Sequence, residues 1–189
     1  MPTKTVEEPQ THSRAHHDAA HDHKSSVPKQ LATPIDLSRE GVEQITKALN
    51  TLAADSFALY AKTKNFHWHL AGPHFRDYHL LFDSHADEIL ESIDGLAERV
   101  RRIGGTTLRS ISHVSRLQTI KDDDDEFVPA EEMVHRLLED NRRMAEAQRK
   151  AVDLCDKHGD HASSNLLEGL LDQTEKRAWF LFEVTQSSR

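Results

Sequence analysis

Glycine and proline breaks divide most of this chain into four long segments with helical periodicity. The breaks are Gly72-Pro73, Gly104-Gly105, Pro129 and Gly159, and these two residue types are the strongest local punctuators of regular structure. Between the breaks, apolar residues recur as they do on one face of an α-helix. No segment shows the strict alternation that would indicate a strand. The pattern predicts an all-α fold, a four-helix bundle.

Capping residues and the breaks give the expected helix ends. In chain order, the helices start at LSREG with Ser38 as N-cap, run from about His74 to Ile103, run from just after Pro129 to near His158, and follow the sequence GDHASS. The connection between the second and third helices is long and has room for one short helix around Ile111 to Leu117. A long second-to-third crossover is found in ferritin-like folds.

Residues 1–34 differ in composition from the rest of the chain. They hold four of the six prolines, almost no large apolar side chains, and five histidines: His12, His16, His17, His21 and His23. Such a segment buries too little to offset its ordering entropy. We therefore predict a disordered His-rich tail over residues 1–34 and one helical domain over residues 35–189. The tail histidines could bind transition metals loosely, or the tail could simply be solvated.

Charge and cysteine content restrict the class of protein. The tail carries four basic and four acidic residues, so the remainder of the chain carries the whole net charge of −8. A body with this charge repels nucleic acid phosphates unless cations bridge the two. The single cysteine, Cys155, cannot form an internal disulfide, and neither a secretory signal nor an apolar run of membrane length is present. The expected location is the cytoplasm, with nucleoid association only if DNA is bound.

A polar stripe lies along the predicted second helix. At about 100° per residue from His79, the side chains of Asp83, Asp94 and Glu98 fall within roughly 100° of it. A different face carries the apolar residues Phe82, Ile89, Ile93, Leu96 and Val100. An acidic stripe is most often the solvated side of a helix. However, this one has no lysine, and its two i, i+4 pairs have the spacing of two-ligand metal clamps.

The two pairs are too far apart to share an ion within one helix. Asp83 and Asp94 are separated by about 16 Å along a helix axis, whereas metal–ligand bonds are about 2.0–2.6 Å long. Two copies of the helix could pack antiparallel about a two-fold axis near Glu88-Ile89. The His79/Asp83 pair of each copy would then lie against the Asp94/Glu98 pair of the other copy. His67, just before the Gly72-Pro73 break, would return beside His79.

Other histidines fit other roles. His85 falls toward the apolar face, as a hydrogen-bonded core or interface residue. His69 and His74 flank the turn and fit capping better than metal binding. Trp68 could pass electrons or quench radicals, although packing is the commoner role. The Glu132-to-His135 motif stands alone, so the chain lacks the two such motifs of a di-iron site inside a bundle.

The segments NFHWHLAGPHFRDYHLLFD and DGLAERVRRIGG closely resemble the signature segments of Dps, the DNA-binding protein from starved cells, a family of ferritin-like miniferritins. The likeness extends over about residues 36 to 187. It implies five ferroxidase and metal ligands shared between subunits, at His67, His79, Asp83, Asp94 and Glu98. It also implies a hollow dodecamer that binds Fe(II), oxidises it preferentially with hydrogen peroxide, stores the ferric mineral and so protects against oxidative stress.

Three positions or segments depart from the family pattern. His69 stands where asparagine is usual after the His-Trp pair, and could add a secondary metal contact. Asp160 and Glu168 are the candidates for the family's acidic three-fold pore, but Asn165 stands where an acid is expected. The family binds DNA through lysine- or arginine-rich tails, and this tail is charge-neutral. We therefore expect weak DNA binding at neutral pH.

Three functions remain open from the sequence. The first is an iron-oxidising storage cage, the second a DNA-condensing protein whose cage is a multivalent scaffold, and the third a metal buffer that works through the histidine tail. The charge-neutral tail favours the first over the second. Deletion of residues 1–34 would abolish most iron uptake only in the third.

Overall fold

The computed structural model describes residues 27–186, and in this range every regular element is helical. The elements are a short 3-10 helix, Lys29–Leu31, followed by α1 (Arg39–His69), α2 (Phe75–Arg102), α3 (Ile111–Leu117), α4 (Ala130–Lys157) and α5 (His161–Glu183). The predicted all-α fold is confirmed. Four long helices form the bundle, and α3 is the short helix of the predicted crossover.

The bundle consists of two helix hairpins. α1 packs along α2 and α4 packs along α5, while contacts between α1 and α4 and between α2 and α5 join the hairpins. The core is apolar and fully enclosed around side chains such as Leu59, Phe66, Phe82, Leu137 and Leu167. The face of α2 predicted to be apolar, including Ile89 and Leu96, is buried in this core.

Most helix ends follow local signals in the sequence. Ser38 caps α1 by accepting a hydrogen bond from the Gly41 amide at 3.1 Å. Gly104 follows α2 with φ of 87°, a left-handed conformation that suits glycine. α5 begins at His161, earlier than predicted, because the carboxylate of Asp160 accepts from the Ser163 amide at 3.0 Å and caps the helix.

Polar side chains of α1 hold the long crossover against the bundle. The carboxylate of Asp55 accepts from the amides of Thr119 and Ile120 and from the Thr119 hydroxyl. Farther along α1, Asn65 donates to the Asp123 carbonyl at 3.1 Å. Because Asp55 is itself buried, these bonds fix the end of α3 and the acidic loop after it relative to the C-terminal half of α1.

The predicted tail falls largely outside the described residues, since the structure describes the chain from Val27. The last residues before α1 contact the end of α2. The Thr33 hydroxyl donates to the Arg101 carbonyl at 3.0 Å, and the Arg101 guanidinium donates to the Leu31 carbonyl at 2.8 Å. The domain boundary at residue 34 stays a prediction. No helix in the described part of the chain is long and apolar enough to cross a membrane.

Candidate metal centre

Two histidines face each other where the α1–α2 hairpin turns. His67 ends the buried face of α1, and His79 lies in the second turn of α2. Their rings stack with centroids 3.7 Å apart and an interplanar angle of 20°. The Gly72-Pro73 break thus returns the chain so that the two histidines meet, as the sequence predicts.

Each histidine is oriented by the backbone of the other. His67 Nδ1 lies 2.9 Å from the His79 carbonyl oxygen, and His79 Nδ1 lies 3.1 Å from the His67 carbonyl oxygen. A carbonyl oxygen only accepts, so both Nδ1 atoms carry the proton in these bonds. In the neutral rings, both Nε2 atoms therefore keep a lone pair. A ring held in this way has the tautomer of a metal-ligating histidine.

Asp83 lies beside this pair and binds a lysine. Its Oδ1 is 3.7 Å from His67 Nε2 and accepts a hydrogen bond from Lys64 Nζ at 2.6 Å. That bond lowers the pKa of Asp83 and raises the pKa of Lys64. The Asp83 carboxylate is ionised near neutral pH and attracts cations. The sequence reasoning missed Lys64, although its i, i+3 spacing from His67 placed both on one side of α1.

Asp94 and Glu98 lie on the same helix but not at the histidine pair. α2 runs unbroken from Phe75 to Arg102, so the distance of about 16 Å along its axis between Asp83 and Asp94 stands. Both side chains are exposed. Glu98 forms an ion pair with Arg102, one turn further along the helix. The structure brings together His67, His79 and Asp83 and leaves the acidic pair apart.

The described part of one subunit holds no complete set of ligands. Within residues 27–186, no group of three or more His, Cys, Asp or Glu side chains is positioned to hold a metal ion. At the hairpin the structure places two imidazoles beside one carboxylate, and Asp94 and Glu98 form a separate pair of carboxylates on the same helix. Mixed imidazole and carboxylate ligands suit iron.

An apolar groove surrounds Asp94. It lies between α2 and α3 and is lined by residues that include Leu90, Ile93, Ala97 and Ile111. Leu90 is 45% exposed and Ile111 is 76% exposed. Exposed large apolar side chains that line one groove are typical of a surface covered by a partner.

The remaining histidines near the turn have separate environments. His74 occupies the N-cap position of α2 with φ of 62°, but its side chain makes no capping bond, so the predicted capping by this residue is wrong. His69 Nδ1 bonds the Asn65 carbonyl at the end of α1. Burial and the charge of Arg177 lower the pKa of His85 to about 4. Its ring lies at an interplanar angle of 85° to the Phe180 ring, with centroids 6.4 Å apart, and its Nδ1 has no hydrogen-bond partner among the described residues.

The interior of the bundle holds ion pairs rather than a carboxylate cluster. Lys62 Nζ donates to Asp140 Oδ2 at 2.6 Å, and both side chains are 7% exposed. Glu132 is exposed and pairs with Arg136, and His135 is exposed as well. The Glu132-to-His135 motif thus takes no part in a site inside the described bundle, as its isolation in the sequence indicates.

The two pore candidates differ sharply in exposure. Asp160 is buried and engaged by Arg99 and by both the amide and the hydroxyl of Ser163. The prediction that it lines an ion pathway is wrong, because its carboxylate caps α5 and neutralises Arg99. Glu168 is exposed on α5 and stays a candidate.

Known proteins of similar sequence and fold agree with this architecture. Residues 46–187 match the Ferritin family, described as a ferritin-like domain. An uncharacterized low temperature-induced protein of Nostoc sp. is 35% identical over 78% of this chain and 83% of its own length. DNA protection during starvation protein 2 of Bacillus anthracis is 32% identical over 74% of this chain and 94% of its own length.

Among solved structures, DpsC from Streptomyces coelicolor superposes with a TM-score of 0.80 at 31% identity, over 83% of this chain and 92% of that chain. The family match spans most of the helical bundle, and the Bacillus anthracis relative is covered almost from end to end. The chain belongs to the ferritin-like family and, within it, to the Dps miniferritins.

Proposed function

We propose that this chain is a ferroxidase whose active sites form between two subunits of a cage. Membership of the ferritin-like Dps family implies iron binding, iron storage and protection from stress. The proposal adds the activity, the residues and the assembly. Fe(II) is the substrate, His67, His79 and Asp83 of one subunit bind it, and Asp94 and Glu98 of a second subunit complete the site.

The observation that carries the proposal is the reciprocal bonding of His67 and His79. Both Nδ1–H groups are used by backbone carbonyls at 2.9 and 3.1 Å, so the Nε2 atoms are available as donors to a metal. Packing alone would not require both rings to take the ligand tautomer. The nearby Asp83 carboxylate supplies a hard oxygen ligand, which suits ferrous and ferric iron.

Lys64 gives the site a cation when iron is absent. Its ammonium group bonds Asp83 Oδ1 at 2.6 Å and balances a carboxylate that would otherwise stand uncompensated beside His67. When Fe(II) binds Asp83, it replaces the Lys64 ammonium group as the positive partner of that carboxylate. Release of Lys64 from Asp83 therefore accompanies iron binding.

Antiparallel pairing of two α2 helices would complete the ligand set. Between Asp83 and Asp94, the exposed residues of α2 nearest the midpoint are Asp87, Leu90 and Glu91. Glu88 instead faces α5, where it pairs with Lys176 and Arg177. Leu90 and the surrounding groove would thus make the contact across the two-fold axis. Bound cations would neutralise Asp87 and Glu91 where the two helices face each other.

Hydrogen peroxide is the proposed oxidant. Two Fe(II) ions give up one electron each, the peroxide O–O bond accepts both electrons, and hydrolysis of the ferric product to an oxyhydroxide mineral releases four protons. Consumption of peroxide and ferrous iron in one step removes the reactants that generate hydroxyl radicals. The dodecameric cage, the mineral store and a cytoplasmic location belong to this proposal.

Peroxide-dependent Fe(II) oxidation in wild type and in Asp94→Ala/Glu98→Ala tests the site. We expect the initial rate to fall by at least about tenfold, because half of the ligand set is lost. Asp153→Ala/Asp172→Ala removes two exposed carboxylates elsewhere and should leave the rate unchanged. Unchanged oxidation in Asp94→Ala/Glu98→Ala would disprove the assignment.

DNA condensation is the competing function, and the charge of the protein opposes it. We expect no saturable gel shift at pH 7.5, where the tail is charge-neutral. The tail histidines gain charge near pH 6, so binding there would depend on pH. Tight binding at pH 7.5 would favour the DNA-condensing function instead. The metal-buffer function requires that deletion of residues 1–34 abolish most iron uptake, whereas we expect oxidation to persist.

A further inference from the structure

An acidic cleft lies between the C-terminal half of α1 and the loop that precedes α4. Its volume is about 370 Å³, and its lining includes Trp68, His69 and four consecutive aspartates, Asp122, Asp123, Asp124 and Asp125. Ala58 and Ala61 of α1 also line it, and their small side chains leave the space open. A water molecule takes up about 30 Å³ in the liquid, so the cleft has room for an ion that keeps several waters.

The cleft is separate from the proposed ferroxidase site. His67 and His69 lie on one helix at positions about 200° apart around its axis. His67 faces α2 and His79, whereas His69 lines the cleft beside the acidic loop. The cleft is therefore a different site from the histidine pair. Cation binding in the cleft does not depend on the proposed function.

His69 has the tautomer of a metal ligand. Its Nδ1 lies 2.9 Å from the Asn65 carbonyl oxygen, which accepts only, so Nδ1 carries the proton and Nε2 of the neutral ring keeps its lone pair. The same Asn65 donates to the Asp123 carbonyl at 3.1 Å. One residue of α1 thus fixes the imidazole and ties the acidic loop to the same helix.

Asp123 has an unused oxygen at a buried position. Its side chain is only 6% exposed, and Oδ2 accepts from Arg136 at 2.9 Å. Its other oxygen, Oδ1, is buried and has no hydrogen-bond partner among the described residues. A buried carboxylate oxygen without a donor is costly, and a cation held nearby would offset part of that cost.

Neighbouring cations leave most of the negative charge uncompensated. Arg136 is shared between Asp123, Asp125 and Glu132. Lys62 lines the cleft but is paired with Asp140. Asp124 is exposed, and Arg136 does not pair with it. The local field therefore attracts cations.

We propose that this cleft binds a divalent transition-metal ion through His69 and the carboxylates of Asp122–Asp125. One imidazole with several carboxylates suits Fe(II), Co(II) or Zn(II). No three of the described His, Cys, Asp or Glu side chains converge as a finished ligand set. The ion thus enters with part of its water shell and is held by His69 and exposed loop carboxylates such as Asp124.

Titration of the full-length protein with Co(II) tests the cleft, with Trp68 as the reporter. Trp68 is 66% exposed and lines the cleft. The chain has two tryptophans, so Trp179→Phe leaves Trp68 as the only one. The further changes Asp83→Asn, Asp94→Asn and Glu98→Gln remove the proposed ferroxidase carboxylates. In this background we expect saturable quenching of Trp68 fluorescence by Co(II).

Substitution of the proposed ligands separates a site from diffuse attraction. His69→Asn/Asp124→Asn should raise the Co(II) dissociation constant by about tenfold or more. His161→Asn/Asp172→Asn changes the same residue types at exposed positions on α5 and should leave it unchanged. Quenching that does not saturate, equal weakening in both variants, or tight binding that survives loss of His69 and Asp124 would each overturn the proposal.

Discussion

Exchange of half-sites between subunits gives the sharpest test of the shared ferroxidase centre. One chain carries His67→Ala/His79→Ala and the other carries Asp94→Ala/Glu98→Ala. Each chain alone should be inactive, because every interface in its assemblies lacks one half of the ligands. A mixed pair has two sites. At one site, the intact histidine half of one chain meets the intact acidic half of the other, and at the second site both halves carry the substitutions.

The recovered activity can be worked out from this geometry. Equal co-expression with random pairing makes half of the pairs mixed, and each mixed pair holds one intact site of two, so about a quarter of wild-type activity should return. The separation of about 16 Å along rigid α2 makes this result necessary if the acidic pair takes part at all.

Peroxide-dependent Fe(II) oxidation, followed by absorbance of the ferric product, measures the recovery. Co-expression of His67→Ala/His79→Ala with Asp83→Ala is the matched control, since both chains then lack the same half and no mixed pair regains a site. If the mixture of complementary variants shows only the activity of the separate variants, the ligands do not combine across subunits and the shared site is disproved.

Three further predictions concern the described helices. Asp140→Ala removes one partner of the buried Lys62–Asp140 pair and should lower the free energy of unfolding by about 3–5 kcal/mol. The double change Lys62→Met/Asp140→Leu should restore most of this free energy. Urea unfolding at one fixed protein concentration compares the two variants with wild type. Asp55→Ala removes the acceptor of three crossover hydrogen bonds, so amide exchange at Thr119 and Ile120 should become faster than in wild type, while the Asp172→Ala control should not change it. Burial raises the pKa of the Cys155 thiol to about 12, so iodoacetamide at pH 8 should react with it only after unfolding; rapid labelling of the folded protein would contradict this.

Much of the architecture could be predicted because its signals are local. Periodicity and the Gly and Pro breaks placed four long helices and the short Ile111–Leu117 helix, and Ser38 marked a cap that the structure confirms. The sequence predicts that the last helix starts after GDHASS, whereas α5 starts at His161 because Asp160 caps it through the Ser163 amide.

The sequence by itself determined which residues share a helix face and how far apart they lie, since helix geometry is rigid and repeats every few residues. It thereby separated Asp83 from Asp94 and pointed to a second subunit. Only the tertiary structure decided the partners of side chains from different helices. Packing set His67 against the His79 carbonyl, Lys64 on Asp83, Asp160 on Arg99 and His69 beside the acidic loop. These contacts join residues distant in sequence or on different elements, so no local pattern records them.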